Sequence, residues 1–342
     1  MPQGPVRGPR GNEVSEASPH TEGLMKAFVQ DRYGPPEVLH LREIEKPALP
    51  DDRVLVKVRA ASVNAFDWHM MTADFFVVRL SEGLRRPKTP IRGADVAGTV
   101  EAVGKNVTRF KPGDEVFGQG RGSFAEYTTT SETGVAPKPR NVSFEQAAAV
   151  PGAGYTALQG LRNKAQLRPG QRVLIYGAGG GVGTLAVQVA KALGAHVTAV
   201  SSPENLEMLR SIGADEVIDY TREDFVDRGE RYDVFFDIGA NRSLSACRRV
   251  LTKDGTYVLV GASRHPIARV IKTILLSKFV SQRLLGFLAK PAPEDLVILK
   301  EFLESGKLAP ALDGKYSFEQ VPDAVRRLGT GKARGKIVIS VP

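Results

Sequence analysis

A glycine cluster between an apolar run and a helix-forming stretch is the part of the chain with the clearest chemical use. Residues 172–194 read RVLIYGAGGGVGTLAVQVAKALG, with apolar residues at helical spacing after the glycines. This order predicts a strand, a tight turn and a helix. A helix that begins without bulky side chains presents unpaired N–H groups and a positive dipole end to a diphosphate. The segment predicts dinucleotide binding; the alternative is a glycine-rich turn of an ordinary α/β protein.

Strand and helix patterns alternate around this turn. Strand, helix and strand in succession imply parallel pairing by right-handed crossovers, and hence a doubly wound sheet. The predicted elements are strands at 173–176, 196–200, 216–218, 234–238 and 257–261, and helices near 182–193, 204–212 and 243–250.

The chain before this region is rich in short strand patterns. Turn residues separate them without regular helices between, which predicts a barrel-like or sandwich unit. Ser143 can cap a helix where the composition changes, so we place a domain boundary there, and we expect the strand Lys336–Ile339 to return to the first unit. The predicted domains are 24–148 together with 300–342, and 149–299, after a disordered tail over 1–23.

Composition excludes several classes of protein. The 342 residues are 42% hydrophobic and 25% charged, as in globular proteins with room for two domains. One cysteine, Cys247, excludes a disulfide framework and a cysteine-built zinc site and fits a reducing compartment. The net charge of +9 comes from dispersed basic residues with few interleaved aromatics, so we expect no nucleic-acid partner.

The sequence also shows no pattern typical of a membrane-spanning or targeting segment. No apolar run approaches the roughly 20 residues that cross a bilayer. The prolines, glycines and glutamates of residues 1–23 suit neither a secretory signal nor a transit peptide. We therefore expect a cytoplasmic protein without stable membrane insertion.

The end of the second predicted strand indicates which nucleotide binds. An NAD site places a carboxylate there for the ribose 2′-hydroxyl, whereas this chain has Ser201 and Ser202. Small hydroxyl side chains leave room for a 2′-phosphate, which Tyr220 and Arg222 could also reach, so the sequence favours NADPH. Glu204 would repel that phosphate unless it faces solvent at the helix start, and NADH therefore stays open as an alternative.

Further motifs occur along the chain in a fixed order. They are ASVNAFD at 61–67, GADVAGTV at 93–100, KPGDEV at 111–116, FAEY at 124–127, GYTAL at 154–158 and GKIV at 335–338. With the glycine turn, they resemble the medium-chain dehydrogenase/reductase superfamily in its zinc-independent quinone oxidoreductase branch, from about Met25 to Val341. The resemblance implies an α/β protein with a GroES-like β-rich catalytic domain, a Rossmann domain and an active site between them.

Zinc-dependent members of this superfamily differ from the chain at their metal ligands. They carry a cysteine near Asn64 and Gly-His-Glu where Gly93-Ala94-Asp95 stands, and a four-cysteine structural lobe that one cysteine cannot supply. Without a metal to polarise an alcohol, the resemblance favours hydride transfer to an electron-poor acceptor, either a quinone or an α,β-unsaturated carbonyl. The protein would orient the reactants and stabilise the developing oxyanion.

The resemblance also implies site residues. Asn64 matches an asparagine of the branch and would donate to the substrate oxygen or contact the cofactor, the alternative being a simple loop residue. A basic residue that many NADPH-binding relatives carry at or near Asn205 is absent here. The other implied cofactor contacts are Gly179, Gly180, Gly181 and Val182 at the diphosphate, Ser201 and Tyr220 at the 2′-phosphate, and Thr156, Val260 and Gly261 near the nicotinamide.

One long segment, 264–290, has two interpretations. With GLRRPK at 83–88, it most resembles the NAD(P)-dependent alcohol dehydrogenase-like proteins related to the mitochondrial reticulon-4-interacting protein. We favour the interpretation in which its apolar helical stripe packs on the Rossmann domain or covers the cleft. The alternative is that the stripe lies on an anionic membrane. The stripe consists of Ile267, Val270, Ile271, Ile274, Leu275 and Phe279.

Two functions remain. The first is an NADPH-dependent oxidoreductase acting on a small electron-poor acceptor without a metal, with homodimers implied by the resemblance. The second is a non-catalytic NADPH-binding protein of the same fold that regulates a partner or a membrane surface. The pattern does not predict the physiological acceptor.

Overall fold

The computed structural model describes residues 23–260, 266–277 and 279–342, so the predicted tail lies outside the described residues except for Gly23. The strands are β1 Leu24–Val29, β2 His40–Glu45, β3 Arg53–Val63, β4 Asp95–Val103, β5 Glu115–Gln119, β6 Tyr127–Ser131, β7 Val135–Pro137, β8 Arg172–Tyr176, β9 His196–Ser201, β10 Glu216–Asp219, β11 Tyr232–Asp237, β12 Leu251–Leu259, β13 Arg283–Gly286, β14 Leu312–Ser317 and β15 Lys336–Ser340.

The α-helices connect and cover these strands. They are α1 Ala65–Thr72, α2 Phe76–Glu82, α3 Phe144–Ala148, α4 Pro151–Leu158, α5 Gly181–Ala192, α6 Leu206–Ser211, α7 Leu244–Arg249, α8 Pro266–Ser277, α9 Pro293–Glu304 and α10 Val321–Gly329. None of the helices in the described ranges combines the length and the apolar character that crossing a bilayer requires.

Six parallel strands form the first sheet, in the order β10-β9-β8-β11-β12-β13. The chain moves outward from β8 in one direction through β9 and β10, and then in the other through β11 to β13. The predicted Rossmann sheet is therefore confirmed, and its topological switch point lies at the carboxyl end of β8, where dinucleotides bind in such sheets. The pattern missed β13, the last strand of the sheet.

A second sheet of seven strands has the order β14-β15-β3-β4-β5-β7, with β6 also paired to β3. β15 pairs antiparallel with β3, Val338 opposite Ser62, so the last strand does return to the first unit. β1 and β2 form a separate antiparallel pair. The valines of β3 and β4 fill an apolar core that α10 closes.

Local sequence explains the elements that carry the site. Val173–Tyr176 of β8 are all buried, as expected for a strand covered on both faces. Ser143 caps α3, since its hydroxyl accepts a hydrogen bond from the Gln146 N–H. Cys247 is a buried core thiol, and burial raises its pKa to about 12.

The two sheets meet at the glycine turn after β8. The N–H of Gly335, the residue before β15, donates to the carbonyl of Gly179 over 2.8 Å, and Gly180 and Gly335 form an isolated β-bridge. The end of the chain therefore lies against the first turn of the dinucleotide-binding helix. This contact brings the first residue of β15, Lys336, close to the turn.

The sequence predicted that the apolar stripe of segment 264–290 faces the protein. This prediction is wrong about which face of the helix packs. Thr273 of α8 is fully buried and Leu276 packs on the Rossmann core, while Ile271, Ile274 and Leu275 are about half exposed. Phe279 of the stripe is 82% exposed, and Val270 is partly buried. The side chains of Ile267 and Lys278 lie outside the described residues.

A buried ion pair explains the rotation of α8. Arg269 lies 2.9 Å from the fully buried Asp237 at the end of β11, and donates to the carbonyls of Ala240 and Arg242. Tyr257 donates to the same Asp237 oxygen over 2.6 Å. Because a charged pair inside the protein needs close partners, Arg269 turns inward and the apolar stripe turns outward.

Candidate active site

Asn64 and Asp95 are brought together by the pairing of β3 with β4. Ser62 lies opposite Asp95 in the antiparallel register, and Asn64 follows β3 at the start of α1. The Asn64 Nδ2 donates to Asp95 Oδ2 over 2.9 Å. Asn64 and Asp95, which belong to the two motifs in which zinc-dependent members carry ligands, are thus hydrogen-bonded to each other.

Asp95 is fully buried and accepts four hydrogen bonds. Oδ2 accepts from the Ser62 hydroxyl at 3.0 Å as well as from Asn64, and Oδ1 accepts from Gln119 Nε2 and the Gly152 N–H, both at 2.9 Å. Because all four partners donate, the Asp95 carboxyl group acts only as a hydrogen-bond acceptor. Asp95 therefore holds the Asn64 amide in place by a hydrogen bond.

Lys336 completes this cluster from the other end of the chain. Its Nζ donates to Asn64 Oδ1 over 2.5 Å and lies 3.6 Å from Asp95 Oδ2. The side chain is only 3% exposed, and burial lowers the pKa of its ammonium group although the charge of Asp95 opposes that shift. Lys336 and Asp95 are not among the site residues predicted from the sequence. The indication that could have identified both is a charged residue at the start of a mostly apolar strand.

Asp67 lies beneath the same loop. Its Oδ2 accepts a hydrogen bond from the Asn64 N–H over 2.8 Å. A side chain of the first turn of α1 thus holds the residue that precedes the helix. Burial raises the pKa of the Asp67 carboxyl to about 7, against the lowering effect of this hydrogen bond. A buried acid next to Asn64 thus titrates near neutral pH.

The glycine turn fits a diphosphate. Gly177 has φ of 86°, in the left-handed region that favours glycine, and a Cβ on Gly179 would lie 2.5 Å from the Ser201 hydroxyl. α5 begins without a capping side chain and without an acidic residue in its first turn. The N–H groups of Gly181, Val182 and Gly183 precede the first helical hydrogen bond, made by the Thr184 N–H, and can receive an anion.

Ser201 ends β9 next to this turn and is held by Asn205. The Asn205 Nδ2 donates to the hydroxyls of both Ser201 and Ser202 at 3.0 Å. Asn205 is 7% exposed, so the residue noted above as a departure from the relatives supports the serine pair.

The groups around this serine pair differ in exposure. Tyr220 is half exposed, and its N–H donates to the Ser201 carbonyl. Glu204 is exposed, and a backbone hydrogen bond, the Ser202 hydroxyl and the charge of Arg334 lower the pKa of its carboxyl group. Arg334 is thus a cation at this edge that the sequence analysis missed.

The residues expected near the nicotinamide lie at two other places. Thr156 donates to the Gly152 carbonyl over 2.8 Å, and the N–H of Gly152 binds Asp95, which links Thr156 to the Asn64 cluster. Val260 follows β12, and its N–H donates to the Asp237 carbonyl. Gly261 lies outside the described residues.

Two aromatic residues near Asn64 have structural contacts. Trp68 packs against the core under β3, where a Cβ on Gly329 would collide with its ring. His69 Nδ1 lies 2.9 Å from Asp74, and its ring contacts the Phe75 ring in a tilted arrangement, with 4.6 Å between the centroids. Within the described ranges, no group of three His, Cys, Asp or Glu side chains could hold a metal ion.

The site therefore offers three chemical features. A half-buried amide is held with its oxygen toward a lysine and one N–H toward a carboxylate, an uncapped helix N-terminus lies nearby, and a hydroxyl pair ends the next strand. A dinucleotide can bind along the helix start, and an oxygen that gains negative charge can accept from the amide.

Comparison with known families agrees with this geometry. Residues 50–140 match the family described as alcohol dehydrogenase GroES-like domain, and residues 212–339 match the family described as zinc-binding dehydrogenase. The first match covers β3 to β7, and the second covers the carboxyl-terminal part of the Rossmann sheet through β15.

Individual relatives match nearly the whole chain. The 2-methylene-furan-3-one reductase of Solanum lycopersicum is 38% identical over 92% of this chain and 79% of the relative. The chloroplastic NADPH-dependent alkenal/one oxidoreductase of Arabidopsis thaliana is 36% identical over 96% and 82%. The quinone oxidoreductase structure from Coxiella burnetii superposes with a TM-score of 0.84 at 32% identity, covering 93% of this chain and 100% of the other. The chain belongs to the quinone oxidoreductase branch of the medium-chain dehydrogenase/reductase superfamily.

Proposed function

We propose that this protein uses NADPH to reduce quinones or α,β-unsaturated carbonyl compounds without zinc. The observation that carries the proposal is the Asn64 amide, held between Lys336 and Asp95 close to the turn that fits a diphosphate. The names of the relatives support it, since they refer to 2-methylene-furan-3-one, alkenal/one and quinone as substrates of those proteins.

Asn64 is the proposed catalytic residue. When bound, NADPH supplies the hydride. The Asn64 N–H that does not meet Asp95 donates to the acceptor oxygen, on which negative charge grows during the reaction. Because two partners already hold the amide, little reorganisation is needed when that charge develops.

The NADPH preference is proposed from the end of β9. The Ser201 hydroxyl accepts from Asn205, so its own proton is available to a phosphate oxygen. Tyr220 and Arg334 lie at the same edge and supply a further donor and a positive charge. The position of Ser201 has no carboxylate that would bind the ribose 2′-hydroxyl of NADH. NADH is therefore the weaker cofactor in this proposal.

The direct test measures NADPH oxidation by the purified protein with a panel of quinones and enones. We expect turnover with at least one conjugated acceptor and none with simple alcohols and NADP⁺. Tight NADPH binding without turnover on any conjugated acceptor would contradict the proposed enzyme.

A charge change at Ser201 tests the cofactor assignment. Ser201→Asp places a carboxylate where the 2′-phosphate is proposed to lie, so the NADPH Kd should rise at least about tenfold and NADH binding should improve. Ser211→Asp adds the same charge at the exposed last residue of α6 and serves as the control. An unchanged preference in Ser201→Asp would place the phosphate elsewhere.

The alternative function is a non-catalytic NADPH-binding protein that regulates a partner or a membrane surface. The outward face of α8 favours it, because Ile271, Ile274 and Leu275 are about half exposed beside the exposed Lys272. Binding to anionic vesicles that is lost in Ile274→Glu and Lys272→Glu, with no turnover on any acceptor, would support this alternative.

We also propose that the protein forms homodimers. β13 is the outer strand of the six-stranded sheet, and its free side has no strand partner among the described residues. The exposed face of α8 lies next to it, and an open edge beside apolar side chains suits a second copy of the chain. A single monomeric species in light scattering at micromolar concentration would contradict a dimer.

The limits of the domains and the location are proposed on the same basis. The two sheets support a catalytic domain of residues 24–148 and 300–342 and a Rossmann domain of residues 149–299. A cytoplasmic location is proposed from the single, buried Cys247, which fits a reducing compartment. Cell fractionation tests it, since one relative is named as chloroplastic.

A further inference from the structure

Lys336 is a buried charge that the proposed reaction does not use. It is 3% exposed, its nearest carboxylate oxygen belongs to the fully buried Asp95 at 3.6 Å, and it lies 272 residues from Asn64 in the chain. A buried ammonium group costs free energy unless it is paired and hydrogen-bonded. Its position at the Asn64 oxygen therefore needs an explanation beyond packing.

The chemistry of the partners determines how the Asn64 amide points. A lysine ammonium only donates, so the amide oxygen must face Lys336, and the Asp95 carboxyl accepts from four donors, so the amide nitrogen must face Asp95. A rotated amide would turn its oxygen toward the Asp95 carboxylate and its nitrogen toward the Lys336 ammonium, and both contacts would be repulsive. Lys336 and Asp95 together therefore fix one orientation, and without Lys336 a single contact to Asp95 would hold the amide.

Lys336 is also adjacent to the cofactor turn. A Cβ on Gly181 would lie 2.8 Å from Lys336 Cδ, and the preceding Gly335 is hydrogen-bonded to Gly179. The lysine stem therefore passes the first turn of α5 before its ammonium group reaches Asn64. Because of this path, Lys336 could instead contact the bound diphosphate directly. The experiment must separate this role from a role that acts through Asn64.

We propose that Lys336 is a positioning residue, which holds the Asn64 amide as a hydrogen-bond donor toward the acceptor oxygen and polarises it. A charged donor on the amide oxygen withdraws electron density and makes the opposite N–H a stronger donor. The inference rests on the proposed function, because it acts through Asn64. It adds a residue whose effect falls on turnover rather than on cofactor binding.

Lys336→Met tests this role, since methionine retains length and removes charge and donors. We expect kcat to fall about 10- to 100-fold, which is less than the roughly 10²–10³-fold cost of removing an oxyanion donor outright because the amide itself remains, with NADPH Kd changed less than about threefold. Lys138→Met is the matched control. Lys138 is also a buried lysine, 6% exposed and paired with Glu115 at 3.2 Å, but it lies away from Asn64, so its kcat should be unchanged.

The double variant Asn64→Ala/Lys336→Met separates positioning from other roles. If Lys336 acts through Asn64, the double variant should have the kcat of Asn64→Ala, because there is no amide left to orient. Losses that multiply would overturn the proposal, as would an unchanged kcat in Lys336→Met. A large rise in NADPH Kd with kcat intact would assign Lys336 to the diphosphate instead and also overturn it.

A second measurement protects the test against misfolding. Lys336→Met leaves Asp95 without its counter-charge, so the unfolding midpoint and the NADPH Kd of this variant are measured on the same preparation as kcat. A loss of kcat that the unfolded fraction accounts for entirely would overturn the positioning role. An inactive wild-type protein would refute the proposed function itself, whereas an active wild type with an equally active Lys336→Met refutes only this inference.

Discussion

Two buried polar clusters in this molecule have similar components and different consequences. Asp95 and Lys336 lie between the glycine turn and Asn64, while Asp237 and Arg269 lie between the Rossmann sheet and α8. Both carboxylates are fully buried, and each has a cation within 4 Å. The clusters differ in whether a hydrogen-bond donor stays free for a ligand.

At Asp237, the partners belong to the cluster itself. Its oxygens accept from Tyr257, Arg269 and the Ala240 N–H, and the terminal nitrogens of Arg269 also reach two backbone carbonyls. At Asp95, the attached Asn64 is only half buried, and one of its N–H bonds has no partner among the described residues. The Asp237 cluster turns its donors inward, although the buried Arg269 Nε has no partner among the described residues, and it stabilises a helix. A cluster that keeps a held donor exposed can serve a reaction.

The largest expected effect tests the structural cluster. Asp237→Ala leaves Arg269 and the Tyr257 hydroxyl without their buried acceptor, so the free energy of unfolding should fall by about 3–5 kcal/mol. Urea denaturation followed by circular dichroism measures it. A loss below about 1 kcal/mol would mean that α8 is not held by this ion pair and that the contrast with Asp95 fails.

The next effect tests the exposed donor. Asn64→Ala should lower kcat about 100-fold while NADPH affinity stays within about threefold, because only the developing oxyanion depends on the free N–H. Its cost in unfolding free energy should stay near 1–2 kcal/mol, below that of Asp237→Ala. Steady-state kinetics and urea denaturation of the same preparation decide this, and a variant that loses stability without losing kcat would reverse the comparison.

A smaller effect concerns pH and the carboxyl group beneath Asn64. Burial raises the pKa of Asp67 from its ordinary value of 3.8 to about 7 in the folded protein, so between these values the folded protein binds a proton that the unfolded chain has released. Stability must therefore fall as pH rises through this window and level off above it, by about 2 kcal/mol between pH 5 and pH 7.

Asp67→Asn isolates this contribution, because an asparagine oxygen can still accept from the Asn64 N–H without ionising. Relative to wild type, the variant should gain stability steadily from pH 5 to pH 7 in urea titrations. Asp52→Asn, at an exposed position, is the control and should show no such trend. A difference that is constant with pH would show that Asp67 is not a buried neutral acid.

The sequence determined the cofactor region and most of the Rossmann elements. The order of apolar run, glycines and helical spacing places a turn after β8, and short-range patterns place Ser201 at the end of the next strand. Such features depend on residues a few positions apart, so backbone preferences and burial periodicity are sufficient to predict them. The return of the last strand to the first unit was also predicted and is confirmed, whereas its pairing with β3 was not predicted.

Only the tertiary structure decided which charges meet. Lys336 reaches Asn64 from 272 residues away, and Arg269 turns α8 so that its apolar stripe faces outward rather than into the core. Periodicity predicts that a helix has an apolar face but cannot weigh that face against a buried ion pair formed with a distant strand. The partners of buried charges are set by the packing of whole sheets, and those partners separate the proposed catalytic asparagine from an ordinary loop residue.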